Sequence, residues 1–290
     1  MCGYDQETLN KLHITEANML REFDAICRTH DIKYFVVFGT AIGAVRHQGF
    51  IPWDDDIDIG MMREDYEKLC NLPDEMWRNC KEGLYLVRPD DPDPLHRSVY
   101  PKIYKKNTVF ETEYHYKYSN MRNVEDGCYL PIWMDIFVYD RFDSQQEIAK
   151  KVKLAFPLKK FYYYAKCKIN VVKSDGMRNK TLCLFKNSIH RILNIFPNPE
   201  NKIYDLYSKL CKNEGEYVTS LDFDFNYESK KLCCKYDDMF PLKNIRFENI
   251  EVLIQKNYND VLTELYGDYM KLPPVENRVN HPPYLLKFDE

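Results

Sequence analysis

Apolar and polar positions recur along the front of the chain with periods that predict both helices and strands. Between residues 6 and 30, apolar side chains recur at helical spacing, which predicts an amphipathic helix packed on a sheet. An apolar run over residues 34–38 predicts a buried strand, and it stops at Gly39, after which small residues continue to Gly43. This break predicts a tight turn that leads into a short helix. Residues 57–61 predict a second strand.

The pattern continues with short elements over the next eighty residues. Residues 63–70 and 73–79 predict two helices, and residues 84–88 predict a strand. Residues 98–111 alternate between apolar and polar side chains, which predicts a β-hairpin. A strongly apolar run over residues 131–139 predicts a long buried strand.

Composition changes after residue 143. Residues 150–191 contain twelve lysines and arginines but one acid, Asp175, with aromatic and aliphatic residues between them. Pro157 and residues 174–176 are predicted to divide this segment into two or three helices. The segment is either a solvated helical cap over the sheet or a basic amphipathic surface that contacts anionic lipid or an anionic glycan acceptor.

The last part of the chain is predicted to return to the core. Residues 203–212 predict a helix, and residues 246–248 and 250–252 predict a hairpin. Residues 257–266 predict a helix that ends at Gly267. We therefore expect a catalytic core, a basic helical insertion and a C-terminal part that rejoins the core. These parts are residues 1–142, 143–215 and 216–290.

Composition and charge narrow the function classes. The chain has 290 residues, a formal net charge of −4 and a pI of about 6.0, so no overall positive field points to nucleic acid. Its ten cysteines form no C-x-x-C pair, and we expect reduced thiols rather than a disulfide framework or a zinc site. The first residues lack the basic and apolar regions of a signal peptide, and no apolar run is long enough to span a bilayer. We therefore expect a cytoplasmic protein.

Four aspartates stand together just before and within the second predicted strand. If this segment is extended, Asp54, Asp56 and Asp58 project from one face and Asp55 points away. Like charges this close are costly unless a counter-ion such as Mg²⁺ binds. A solvated acidic turn is the simpler interpretation. The Gly-Thr turn at residues 39–40 favours a phosphate site instead, because its backbone N–H groups and the following helix N-terminus attract anions.

Two more residues have chemistry that suits such a site. Asp135 is a lone acid within an apolar strand, where a carboxylate is costly unless it is paired or bound to a metal. Its role is either metal ligation or a structural hydrogen bond. Lys102 lies midway along an alternating strand, a position that is usually just solvent-exposed.

Three stretches of sequence resemble one family. Residues 39–60 read G-T-A-I-G-A-V-R-H-Q-G-F-I-P-W-D-D-D-I-D-I-G, and this long string resembles the LicD family of the nucleotidyltransferase superfamily. That family includes bacterial phosphocholine transferases, and the fukutin-type phospho-polyol transferases are related to it. Residues 101–110 (P-K-I-Y-K-K-N-T-V-F) and 266–281 (Y-G-D-Y-M-K-L-P-P-V-E-N-R-V-N-H) also resemble it, whereas residues 143–240 show little likeness.

The resemblance implies a fold and a set of site residues. The expected fold is α/β (α+β), a nucleotidyltransferase-like mixed sheet flanked by helices with a helical insertion or cap. Nucleotidyltransferases complete their metal triad with an acid from a neighbouring strand, and Asp135 matches that position. One or two Mg²⁺ ions, with Mn²⁺ as the alternative, would then be held by Asp56, Asp58 and Asp135. Asp54 is the candidate base for the acceptor hydroxyl, or a further ligand. The expected substrate-binding residues are Gly39, Thr40, Arg46, His47 and Lys102.

The resemblance also implies a reaction. A phospho-alcohol, either phosphocholine or a polyol phosphate, would move from a CDP-linked donor to a sugar hydroxyl of a cell-surface glycan or its lipid-linked precursor, and CMP would leave. One alternative is a nucleotidyltransferase that moves the nucleotide itself to a small molecule or a protein and releases pyrophosphate. Another is a non-catalytic module, against which the intact set of acids argues. Peripheral contact with the inner membrane face through residues 150–191 also stays open.

Overall fold

The computed structural model describes residues 3–92, 95–96, 98–121, 129–169, 177–223 and 231–289. The helices in these ranges are α1 (Gln6–Thr29), α2 (Phe38–His47), α3 (Arg63–Cys70), α4 (Asp74–Arg78), α5 (Glu113–Tyr118), α6 (Gln145–Lys166), α7 (Met177–Leu193), α8 (Pro199–Ser208), α9 (Tyr236–Met239) and α10 (Tyr258–Tyr266). The strands are β1 (Phe35–Val36), β2 (Asp58–Met62), β3 (Leu84–Val87), β4 (Lys102–Lys105), β5 (Val109–Thr112), β6 (Ser119–Met121), β7 (Trp133–Phe142), β8 (Cys167–Ile169), β9 (Tyr217–Ser220), β10 (Cys234–Lys235), β11 (Lys243–Phe247), β12 (Ile250–Ile254) and β13 (Pro283–Lys287).

A mixed sheet forms the centre of the fold, so the predicted α/β class is confirmed. Its strand order is β1-β2-β7-β4-β3, and β9 pairs with the second half of β7 and carries β10. β2 and β7 run parallel, and the other neighbours in this sheet are antiparallel. β7 is buried at every position except Arg141, as expected for a central strand covered on both faces.

The helices that cover the sheet pack around separate apolar clusters. Leu12, Met19 and Phe23 of α1 are fully buried and join the sheet in the main apolar cluster. The helices α6 and α8 pack on each other around a second cluster, which includes Tyr162 and Tyr207. The described helices have no apolar stretch long enough to cross a bilayer. The division into residues 1–142, 143–215 and 216–290 stays a prediction.

A buried ion pair joins the end of β7 to α3. Arg63 donates from Nε and Nη2 to the two carboxylate oxygens of Asp140 at 2.8 and 2.9 Å. Both side chains are largely shielded from solvent, and the Asp140 side chain is only 1% exposed. This bidentate pair fixes the helix that follows β2 against the neighbouring strand.

Two predicted features are wrong. Residues 98–111 do not form a hairpin, because β4 pairs with β3 and β7 whereas β5 pairs with the C-terminal strand β13. Pro157 does not divide the basic segment, since it lies inside the continuous helix α6 on an exposed position. A solvent-facing proline leaves its freed carbonyl accessible to water, which lowers the cost of keeping it within a helix. The predicted break at residues 174–176 lies outside the described residues.

Candidate active site

Hydrogen bonds connect the start of α2 directly to Asp58, the first residue of β2. Thr40 is buried in the first turn of α2, and its Oγ1 accepts a hydrogen bond from the Asp58 backbone N–H at 2.9 Å. The Asp58 carbonyl in turn accepts from the Val37 N–H at 3.1 Å. These bonds fix the start of β2 beside the start of α2. Phosphate binding by Thr40 stays a prediction, and its hydroxyl already serves as an acceptor for Asp58.

Gly39 allows a carboxylate to lie against the first turn of α2. A Cβ atom built at this position would lie only 2.6 Å from Asp54 Oδ2. A second close approach occurs at Gly43, where a Cβ atom would lie 2.4 Å from the backbone oxygen of Gly49. Glycine is required at residue 43 because a backbone atom occupies the Cβ position, whereas a Cβ atom at residue 39 would displace the Asp54 carboxylate.

Three neighbouring strands bring the charged residues of the site into register. Asp58 of β2 pairs with Asp135 of β7, and Asp135 pairs with Lys102 of β4. Lys102 Nζ lies 2.5 Å from Asp135 Oδ1, and the ammonium group stands 4.7 Å from the centre of the Trp133 ring. The sheet therefore places Asp135 next to Asp58 although they are far apart in sequence, and Lys102 is a partly buried counter-ion rather than a solvent-exposed lysine.

Asp55 contacts segments from both ends of the chain. Its carboxylate is fully buried and accepts hydrogen bonds from the Tyr4 hydroxyl and from the His281 backbone N–H, each at 2.8 Å. The His281 Nδ1 atom lies 3.1 Å from Asp55 Oδ1 and 3.7 Å from Asp56 Oδ2. Asp55 therefore anchors the N-terminal and C-terminal segments beside the acidic loop.

The ligand atoms of Asp55, Asp56 and His281 lie within 4.8 Å of one another, which is close enough for a metal site. However, hydrogen bonding to Asp55 and the charges of Asp55 and Asp56 raise the pKa of His281 to about 9. The imidazole therefore donates to Asp55 at neutral pH, and a metal ion bound by His281 would have to displace this proton. In the part of the chain that the structure describes, no such group contains Asp58 or Asp135. The triad of Asp56, Asp58 and Asp135 stays a prediction.

The carboxylates of the acidic loop hold protons more tightly than ordinary aspartates. Burial is the largest cause, and the charges of neighbouring carboxylates add to it. These effects raise the pKa of Asp56 to about 6 and hold the pKa values of Asp54 and Asp58 well above their usual range. Because repulsion among the ionised forms causes part of the shift, a hard divalent cation fits this set of oxygen donors and would replace the protons.

Helix α1 adds two polar side chains behind the loop. His13 donates from Nε2 to the Asp54 carbonyl at 2.7 Å and stacks on Phe50 at 4.2 Å. Glu16 is fully buried, and neither of its carboxylate oxygens has a hydrogen-bond partner among the described residues. Burial and the charges of the nearby aspartates raise the pKa of Glu16 well above its usual range, so the protonated form of this side chain is favoured.

Two arginines stand on the other side of Asp54. Arg46 donates to the Tyr269 carbonyl and, from Nε, to His47 Nε2 at 2.9 Å. Arg278 lies over the Trp53 ring with its guanidinium carbon 4.5 Å from the ring centre. Burial and the positive charge of Arg278 lower the pKa of Arg46, whereas the charge of Asp54 raises it. Among the described residues neither arginine forms an ion pair with a carboxylate, so both are available to an anionic ligand.

Sequence reasoning did not assign a role to several residues of this site, namely Tyr4, His13, Glu16, Trp53, Arg278 and His281. Two features of the sequence could have identified some of these residues. Glu16 falls on the apolar stripe of α1, four residues after Leu12, and an acid on such a stripe is unusual. Arg278 and His281 lie within the C-terminal string that carries the family resemblance.

Residues 31–163, just under half of the chain, match the family described as LicD/FKTN/FKRP, nucleotidyltransferase domain, and this part of the chain therefore resembles the LicD/fukutin-type family. The lipopolysaccharide cholinephosphotransferase LicD of Haemophilus influenzae is 28% identical over 276 residues, which cover 94% of this chain and 96% of that protein. Human ribitol 5-phosphate transferase FKRP is 32% identical over 90 residues, 27% of this chain and 18% of FKRP. An uncharacterized Rickettsia prowazekii protein is 45% identical over 65 residues.

Proposed function

We propose that the protein transfers a phospho-alcohol from a CDP-linked donor to a sugar hydroxyl of a cell-surface glycan or of its lipid-linked precursor. The observation that carries this proposal is the group of partly buried carboxylates at one end of the sheet, with Asp58 and Asp135 in register on parallel strands. Arg46 and Arg278, which form no ion pair with a carboxylate among the described residues, lie close to each other beside this group. The likeness to a cholinephosphotransferase over nearly the whole chain supports phosphocholine or a polyol phosphate as the transferred group.

A divalent cation belongs to this proposal. Asp56, Asp58 and Asp135 would hold Mg²⁺, or Mn²⁺ in its place, because these are hard oxygen ligands in a site where the carboxylates repel one another. When bound, the cation neutralises negative charge that develops on the transferring phosphate and on the leaving nucleotide. Lys102 balances Asp135 and would compete with the cation for that carboxylate.

The chain's own side chains have distinct roles in the transfer. Asp54 accepts the proton of the acceptor hydroxyl, and its raised pKa makes it a stronger base than an ordinary aspartate. The acceptor oxygen then bonds to the phosphorus atom that carries the alcohol. The bond between that phosphorus and the bridging oxygen breaks, and CMP leaves with the bridging oxygen. Arg46 and Lys102 steady the two phosphates electrostatically.

The first turn of α2 completes the donor site. Gly39 and Thr40 present backbone N–H groups at a helix N-terminus, where a phosphate is favoured. His47 holds Arg46 in place by accepting its Nε–H. This bond keeps the guanidinium group oriented while its other N–H groups remain available.

Separate incubations with CDP-choline, CDP-glycerol and CDP-ribitol test this proposal. Each reaction contains Mg²⁺ and a crude glycan acceptor, and the nucleotide products are separated by chromatography. We expect CMP from one of the donors, and we expect its release to stop when EDTA removes the cation. Pyrophosphate released from a nucleoside triphosphate, with no CMP from any CDP-alcohol, would instead favour transfer of the nucleotide itself. A cytoplasmic location is part of the proposal, because the donor is a nucleotide-linked metabolite.

A further inference from the structure

Helix α7 has one face that packs inward and one that does not. Its inner face is held against the end of α6, where His190 donates from Nδ1 to the Tyr164 carbonyl at 2.7 Å. Asn194, just beyond the helix, donates from Nδ2 to the Ala165 carbonyl at 3.1 Å. Asn187 is buried on the same side. These contacts fix which face of α7 points away from the protein.

The outward face is apolar. Its large side chains are between 47% and 75% exposed, far more than a packed helix normally leaves uncovered. Leu182 and Phe185 are one turn apart, Phe185 and Ile192 are two turns apart, and Ile195 and Phe196 follow one turn later, so these side chains lie along one side of the helix and the turn after it. We call this stripe the α7 face; it consists of Leu182, Leu184, Phe185, Ile192, Ile195 and Phe196.

Cations outnumber acids around the α7 face. Residues 181–199 contain two cations, Lys186 and Arg191, and no acid. Lys202 of α8 adds a third cation, with its ammonium group 5.8 Å from the centre of the Phe196 ring, and Glu200 is the acid nearest to the segment in sequence. An apolar stripe flanked by cations complements a surface that is anionic outside and apolar beneath.

A second copy of the chain fits this surface less well. A two-fold pairing of α7 faces would bring the cations of one helix against those of the other, and this segment supplies no acid to balance them. An anionic bilayer offers both apolar burial and charge neutralisation.

We infer that the α7 face docks on an anionic lipid surface. Lys159 of α6 does not contribute to this contact, since it donates to the carbonyls of Leu221 and Phe223 inside the protein. The purpose of this contact, which is to hold the enzyme beside a lipid-linked acceptor, rests on the proposed function. The docking itself does not, because it depends only on the surface of α7.

Flotation of the full chain with lipid vesicles tests the inference. Vesicles of phosphatidylcholine alone are compared with vesicles that also contain phosphatidylglycerol, at about 0.1 M and about 1 M salt, where the Debye length falls from about 10 to about 3 Å. The variant that tests the surface carries Leu182→Ser, Phe185→Ser, Ile192→Ser and Phe196→Ser. A control carries Met270→Ser and Leu272→Ser, which are similarly exposed but lie outside the α6–α8 helices. A third variant carries Lys186→Gln and Arg191→Gln.

We expect wild type and the control to float with anionic vesicles at low salt and only weakly with neutral ones. The four-serine variant should lose at least about tenfold in partitioning, and the charge variant should lose the preference for anionic lipid. Circular dichroism should show unchanged folding, because the substituted side chains are exposed.

Equal partitioning of wild type and the four-serine variant would overturn the inference. A wild-type dimer that the same variant dissociates, without vesicle binding, would assign the face to self-association instead. Neither result depends on whether CMP is released, so the docking surface and the proposed function can fail separately.

Discussion

Replacing Asp56 with asparagine should stabilise the cation-free protein at neutral pH, although it removes an expected metal ligand. Burial, reinforced by the charges of Asp55 and Asp135, raises the pKa of Asp56 from its ordinary 3.8 to about 6. A folded-state pKa above the unfolded value means that this carboxyl favours folding below about pH 4 and that the contribution is lost as the pH rises through about 6. The shift of about 2 pH units corresponds to about 3 kcal/mol, and asparagine does not ionise.

Urea unfolding in EDTA, followed by circular dichroism between about pH 4 and pH 8, measures this effect. The free energy of unfolding of Asp56→Asn minus that of wild type should rise by about 3 kcal/mol from the acidic to the neutral end of this range. Asp74→Asn serves as the matched control, because the Asp74 side chain is 90% exposed. Its free energy of unfolding should differ from that of wild type by the same amount at every pH. Added Mg²⁺ should reduce the difference in free energy of unfolding between the two proteins at neutral pH, because it stabilises wild type. An Asp56→Asn protein that is less stable than wild type at every pH would refute this reasoning.

Two further substitutions test other parts of the structure. Asp140→Ala leaves the Arg63 guanidinium buried without its partner, so the free energy of unfolding should fall by about 3–5 kcal/mol in urea. Asp74→Ala, which breaks an exposed pair at 3.9 Å, should cost less than about 1 kcal/mol, and equal losses would contradict the role given to the buried pair. Gly39→Ala places a Cβ atom 2.6 Å from Asp54 Oδ2, so the Asp54 carboxylate must move. The rate of CMP release should then fall by about tenfold or more with little change in stability, and full activity would show that the position of Asp54 is unimportant.

The sequence was most informative where local pattern and burial agree. The apolar run around Asp135 predicted the central strand, and the helices after β2 and at the start of the chain lie where their periodicity placed them. Asp135 was singled out because a lone carboxylate in a buried strand needs a partner, and Lys102 provides one. Alternation alone does not identify which strand a strand pairs with, and this is why β4 and β5 were wrongly joined in a hairpin.

The parts of the site that could not be predicted depend on contacts between distant segments. Tyr4 and His281 meet at Asp55, and they come from opposite ends of the chain. Helical periodicity marked α1 as amphipathic but did not show that Glu16 would be buried behind the aspartates. Likewise, the excess of cations after residue 150 fitted either a solvated cap or a surface contact, and only the packing of α7 shows which of its faces points inward.

The central claim is that the acidic loop and its neighbouring strands catalyse divalent-cation-dependent transfer of a phospho-alcohol. The most direct measurement is the rate of CMP release from the preferred CDP-alcohol donor by wild type, Asp58→Asn and the exposed control Asp74→Asn, each with Mg²⁺ and with EDTA. We predict that wild type and Asp74→Asn release CMP only with the cation. Asp58→Asn should remain folded and be at least about a hundredfold slower. An Asp58→Asn protein that keeps half of the wild-type rate, or a wild-type rate that EDTA leaves unchanged, would contradict the assignment of this site.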